Sequence, residues 1–224
     1  MSLNARAWLA LAALAAAEGL LVFVPAGTVG YWQAWVYLAV LLGASALMTL
    51  DLLAHDRALL ERRMSGGPIA EKEPTQKLIM SVESIGFVCL LVVPALDHRF
   101  GWSAAPAWVA LGGDALVALG LALIARVYRE NSFAAATIEV APDQRVISTG
   151  PYAVVRHPMY ASASLYVVGT PLALGSYWGL LPLVVMAPFL VWRLLDEERI
   201  LTRSLPGYAD YQTRVRYRLV PHVW

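Results

Sequence analysis

The stretch PAWVALGGDALVALGLALIARV, residues 106–127, decides the fold. Before Arg126 its only ionisable side chain is Asp114, and its length matches the roughly 20 residues an α-helix needs to cross the hydrocarbon core. Runs of similar character occupy 7–26, 32–50 and 78–96. Two further runs, 158–174 and 178–195, are shorter and carry Pro171, Pro182 and Pro188. Gly175-Ser176-Tyr177-Trp178-Gly179 joins them, which predicts a helical hairpin that dips into the bilayer or spans it thinly. With 59% hydrophobic and 15% charged residues, the chain reads as an all-α polytopic membrane protein of five to six transmembrane helices. The first run is expected to be a retained span and not a cleavable signal, because it is long and Glu18 interrupts it.

Charge placement predicts the orientation. Of the 17 Lys and Arg, one precedes the first run, five lie between the second and third, four fall within 126–156 and six follow from Arg193 onward. The intervening connections hold none or one, and this alternation puts both termini and the 126–156 segment in the cytoplasm. The plasma (inner) membrane is the expected location. The net charge of +1 carries no nucleic-acid signature. Cys89 is alone, and His55, His98 and His222 have no spaced ligand partners, so neither nucleic acid nor metal is expected.

The plan is a four-span scaffold over 1–127, then a unit over 128–224 comprising a polar connection, the hairpin and a cytoplasmic tail. The mixed-charge loop 51–77 reads as a helix continuing into water and turning at Ser65-Gly66-Gly67-Pro68, a solvated connector with an interfacial helix. Within 128–150, Thr137-Ile138-Glu139-Val140 and Arg145-Val146-Ile147 predict extended or turn pieces. After the hairpin, Asp196 to Leu205 predicts a helix leaving the membrane, Pro206-Gly207 a break, and 208–218 a short amphipathic piece on the headgroups. Glu18 and Asp114 are expected to hydrogen-bond between helices or to be neutralised, and Glu83 to be wetted near a cytoplasmic end. Trp32, Trp35, Trp102, Trp108, Trp178 and Trp224 read as interface anchors.

The chemistry-bearing residues gather around the hairpin. Gly150-Pro151-Tyr152, then Arg156-His157-Pro158-Met159-Tyr160, precede it, and Trp192-Arg193, Glu197-Glu198-Arg199-Ile200-Leu201, Tyr208, Tyr211 and Val215 follow. No dinucleotide fingerprint, phosphate loop, zinc-peptidase or serine-hydrolase motif is present. The ordered combination over roughly 126–224 resembles the isoprenylcysteine carboxyl methyltransferase family, and related membrane methyltransferases acting on phospholipid amines and small thiols share much of it. The resemblance implies S-adenosylmethionine as cofactor on the cytoplasmic side. It implies that Gln144, Arg145, Val146 and Ile147 line the cofactor, with Tyr152, His157, Pro158, Met159 and Tyr160 as a second binding stretch. Arg193 and Glu197 match the pair near the reacting carboxylate.

Elementary chemistry supports such roles. A sulfonium is a cation with no hydrogen to donate, so aromatic faces such as those of Tyr152 and Tyr160 suit it. Arg156 and the backbone around Pro158 suit the methionine carboxylate. Arg193 and Glu197, one turn apart, share a helix face. A carboxylate acceptor would use Arg193 as a bidentate clamp, and an amine acceptor would use Glu197 or Glu198 as base. The expectation is a methyltransferase with a lipophilic acceptor drawn from membrane lipid, the specific form being carboxyl O-methylation of an isoprenylcysteine-like group. A phospholipid-amine or small-thiol acceptor, an NADPH-dependent membrane reductase and a non-enzymatic lipid-binding protein are the alternatives. In the plainest reading, Arg156-His157-Pro158 starts a helix at the headgroups and Arg193 snorkels.

Overall fold

The computed structural model describes residues 1–67, 69–71, 73–134, 136–137 and 143–224. These form eight α-helices, two 3₁₀ turns and no strand. The helices are α1 (Leu3–Ala26), α2 (Trp32–His55), α3 (Arg57–Met64), α4 (Pro74–Phe100), α5 (Ala107–Glu130), α6 (Pro158–Ala173), α7 (Leu181–Ser204) and α8 (Tyr208–Arg214). Among the described residues, five segments are long and apolar enough to cross a membrane: α1, α2, α4, α5 and Trp178–Ser204. The chain is a polytopic membrane protein. α6, at 16 residues, reaches only about 24 Å and falls short of the roughly 30 Å hydrocarbon core.

Local chemistry sets the boundaries. Ser2 accepts from the Ala5 amide to open α1, and Gly27 and Gly101 close α1 and α4 at positive φ. Pro74 and Pro158 start α4 and α6, where a missing N–H costs nothing. The helix expected to run on beyond α2 instead breaks at Asp56, whose carboxylate caps the Leu59 amide at 2.9 Å and begins α3. Leu59 and Leu60 on α3 are buried against Ala7 and Leu52. The helix and the turn at Ser65 expected within 51–77 are present; what differs is that α3 starts afresh at Asp56 and that Leu59 and Leu60 pack on the bundle instead of facing water. The expected extended piece at 137–140 lies outside the described residues except at Thr137.

α5 and α6 form the closest helix pair. A Cβ on Gly120 would stand 2.7 Å from the Tyr166 amide nitrogen, and one on Gly169 would stand 2.8 Å from the Gly113 carbonyl oxygen. Small residues spaced seven apart on each helix let the backbones touch, the packing solution available where lipid removes the hydrophobic drive. α7 packs mainly on α4, so the two arms of the hairpin lean on different neighbours.

One end of the bundle is tied shut. Asp97 accepts from the Ser103 amide at 2.7 Å, from the Ser103 hydroxyl and from Ser176 at 2.5 Å. Tyr31 stacks on His98 at 3.9 Å and donates to the Leu174 carbonyl. Trp32, Trp35, Trp102, Trp108 and Trp178 are exposed at this end. Glu18 in mid-bundle accepts from Tyr37 at 3.5 Å, an interhelical bond of the kind expected. Neither oxygen of buried Asp114 has a hydrogen-bond partner among the described residues, so of the two expected outcomes the interhelical hydrogen bond is not formed there and neutralisation is the one left open. The opposite helix ends enclose the site.

Candidate active site

Thr149 and Gly150 attach the pre-hairpin segment to the end of α5. The Thr149 hydroxyl donates to Glu130 at 2.5 Å, and Gly150, at φ +55°, lies so close to Glu130 that a Cβ would collide with its carboxylate. The chain then makes a 3₁₀ turn over Gly150–Ala153 and enters α6 at Pro158. Between them the Arg156 and His157 amides donate to the carbonyls of Tyr217 and Arg218, both at 2.9 Å.

Glu198 holds this crossing together from α7. Its Oε1 accepts from Arg156 Nε at 2.6 Å and lies 3.2 Å from His157 Nε2, while its Oε2 accepts from Arg218 at 3.0 Å. Arg156 also donates through Nη1 to the carbonyls of Val215 and Arg216. Leu205, Tyr208, Tyr211 and Val215 form a buried cluster, and Tyr211 donates to the Tyr152 carbonyl at 2.7 Å. The expectation that the tail lies on the headgroups is corrected: its aromatic side chains and free carbonyls have better partners in the pre-hairpin segment than in water.

A cavity of about 450 Å³ opens among these elements. Residues 144–147, Tyr152 and residues 156–160 all line it, as do Arg193 and Glu197. Glu198, expected beside that pair, is not among the lining residues; one residue further along a helix turns a side chain by about 100°, here toward Arg156 and His157. Tyr152 accepts from Asn131 at 2.8 Å. Burial, only partly offset by that bond, pushes its phenol up to about 12, so it is neutral at ordinary pH.

All three nitrogens of the Arg193 side chain are engaged. It donates to Glu71 and Gln76 at 2.8 Å each, to the Ala136 carbonyl at 3.2 Å and through Nε to the Tyr160 hydroxyl at 3.2 Å. Tyr160 passes its own hydroxyl hydrogen to Glu197 Oε2 at 2.6 Å. Gln76 completes the array by donating to Asp196 at 2.6 Å. On α4, Gln76, Met80 and Glu83 share one face, and Met80 and Glu83 line the cavity. Glu83, expected to be wetted, has its Oε1 shielded with no hydrogen-bond partner among the described residues.

Sequence reasoning missed Glu71, Gln76, Asn131 and Glu83 as site residues. Their roles come from contacts across the fold, and no local pattern marks them. The tail was more legible, since Tyr208, Tyr211 and Val215 repeat at helical spacing.

The fold and cavity define a polytopic membrane protein with a polar, aromatic-lined site at the ends of its helices. Residues 108–206, from α5 through α7, match the phospholipid methyltransferase family, so the part of the chain that frames most of the cavity is similar to membrane methyltransferases. No curated protein matches the chain.

Proposed function

We propose that the protein is an integral-membrane S-adenosylmethionine-dependent methyltransferase whose lipophilic acceptor presents an amine. The observation that carries this reading is the single cavity that gathers residues 144–147, Tyr152, residues 156–160, Arg193 and Glu197 from four separate stretches of chain. The donor set fits the cofactor. A volume of about 450 Å³ falls in the ~300–1,000 Å³ range of small-molecule sites. Tyr152 and Tyr160 offer aromatic faces to a sulfonium. Arg156 lines the cavity with Nε and Nη1 engaged, leaving Nη2 as the donor for a carboxylate.

The cofactor, when bound, supplies an electrophilic methyl group. The chain's own part is to position the acceptor and remove a proton. Glu197 is suited to proton removal, because Tyr160 fixes its Oε2 and Oε1 is left to accept the proton that an amine must lose. Glu198 positions Arg156 and His157 and belongs behind the reacting groups.

A carboxylate acceptor such as an isoprenylcysteine would need Arg193 as a clamp, and the engagement of that side chain by Glu71, Gln76, Ala136 and Tyr160 disfavours it. The phospholipid family match fits the amine reading. The positive-inside pattern supports a cytoplasmic cavity and cytoplasmic termini. A reporter fused after residue 205 tests the orientation. Titration of the purified protein with S-adenosylmethionine and with NADPH tests the function: saturable binding of the first alone is expected. Binding of NADPH would favour a reductase, and binding of neither a lipid-binding protein.

A further inference from the structure

Glu83 is a cavity carboxyl that the proposed chemistry leaves unused. It lies two turns along α4 from Gln76 and one from Met80, on the side that meets the cavity. Just beyond it the cavity closes. Phe87, one turn deeper, packs on Tyr166 with ring centroids 6.0 Å apart, and Gly86 is so close to Met186 on α7 that a Cβ there would stand 2.5 Å from its side chain. Glu83 therefore sits at the boundary between the polar upper part of the cavity and its apolar floor, which Ile124, Val167 and Leu190 continue.

Arg63, Arg145 and Arg156 also line the cavity, but Arg193 is the cation that acts on Glu83. Arg193 is bound to Glu71 at 2.8 Å, acts electrostatically on Glu83, and reaches Glu197 through Tyr160. One guanidinium thus serves three carboxyl groups. A carboxyl oxygen shielded from water and without a hydrogen-bond donor is costly, and a cation or N–H donor brought by a ligand removes that cost. An anionic head at the same place would meet Glu83 and Glu197 with no free cation from Arg193.

We propose that Glu83 is a specificity-determining residue that receives the cationic, N–H-bearing head of the acceptor, so that the site selects lipophilic amines over lipophilic acids. This rests on the methyltransferase reading, with Glu197 as the proton acceptor and Glu83 as the group that holds the head. Glu83 lies on α4, outside the stretch 108–206 that matches the family.

The test is binding, measured by calorimetry on the full chain in lipid nanodiscs. The probes are a long-chain primary amine, the fatty acid of equal chain length, and S-adenosylmethionine. The wild type is expected to prefer the amine. E83Q is expected to lose amine affinity by roughly 10- to 100-fold, the scale of one charge-assisted hydrogen bond, with S-adenosylmethionine affinity unchanged. An amine affinity in E83Q equal to that of the wild type, or a wild type that prefers the acid, overturns the proposal. For an E83Q that fails to fold, E83D decides: a reduced amine affinity with intact cofactor binding supports the proposal, and the wild-type value overturns it. A wild type that binds no S-adenosylmethionine refutes the methyltransferase reading alone, because the amine-against-acid comparison does not depend on the cofactor.

Discussion

Arg193 and Glu71 lie 2.8 Å apart, both buried, and join the polar half of α7 to a loop 122 residues earlier in the chain. Because Gln76 of α4 and the Ala136 carbonyl accept from the same guanidinium, these contacts fix three separate stretches around one side of the cavity. Removing one member leaves a buried charge without its partner, a loss on the order of 3–5 kcal/mol. Arg193→Gln and Glu71→Gln are each expected to lower thermal stability sharply, and the double variant to lose less than their sum. A double-mutant cycle on unfolding in detergent checks the coupling, and strictly additive losses would deny it.

Glu197→Gln keeps the hydrogen bond from Tyr160 but removes the proton acceptor. Turnover of an amine acceptor is expected to fall by roughly 10²- to 10⁴-fold with cofactor affinity retained. The residual rate should climb as pH rises, since the variant depends on amine that is already deprotonated. A pH profile of kcat parallel to that of the wild type would show that this carboxylate moves no proton.

The apolar runs were legible as helices because a span must satisfy its backbone internally, and length and polarity alone reveal that. Asp56 was not read as a break, since one aspartate in a mixed-charge loop looks like any solvated side chain until its carboxylate meets the Leu59 amide. The ten cavity residues from 144 to 160 were reachable because they fall in short stretches close together in the sequence, 144–147, Tyr152 and 156–160. Glu71, Gln76 and Glu83 were not: Gln76 and Glu71 meet Arg193 from 117 and 122 residues away, and Glu83 reaches the cavity only through the packing of α4. That Glu198 turns toward Arg156 and His157 while Glu197 lines the cavity was not legible for a simpler reason: adjacent glutamates look equivalent in a string and face different ways on a helix.

Glu198 is the common acceptor for Arg156, His157 and Arg218, so it joins the tail to the segment that lines the cavity. Glu198→Gln is expected to weaken S-adenosylmethionine binding and to expose residues 206–224 to proteolysis at the same time. Arg218→Ala, which removes only the outer, partly exposed member, should show the same two effects in milder form. Faster tail cleavage with unchanged cofactor affinity would separate the tail from the site.

Tyr152 is pushed up to about 12 from an ordinary value of 10.0, chiefly by burial. The raised value favours the neutral phenol in the folded state, so this contribution to stability is complete below pH 10 and is lost as pH rises through about 12. S-adenosylmethionine affinity is accordingly expected to show no transition from Tyr152 between pH 7 and pH 10. Tyr152→Phe keeps the aromatic face and loses the bond from Asn131, costing about 0.5–1.5 kcal/mol of stability, while Tyr152→Ala should abolish most cofactor binding. Equal affinity in the Phe and Ala variants would remove the ring from the site.

Gly112 and Gly113 are neighbours in the sequence and opposites in the structure, which gives a clean test of how α5 carries α6 to the cavity. A Cβ on Gly113 would enter the α6 backbone between Leu172 and Ala173, where no side-chain rotation relieves the clash. A Cβ on Gly112 would meet no atom within 4 Å. Gly113→Ala is therefore expected to part the two helices and cost about 1–3 kcal/mol or more, the range for overpacking a tight contact. Because Tyr160 and Tyr166 ride on α6, cofactor affinity should fall with stability. Gly112→Ala should leave both unchanged or slightly raise stability through helix propensity. Thermal melts in detergent, paired with S-adenosylmethionine titration, check the contrast; comparable behaviour of the two variants would show that α5 and α6 do not depend on backbone contact at this point.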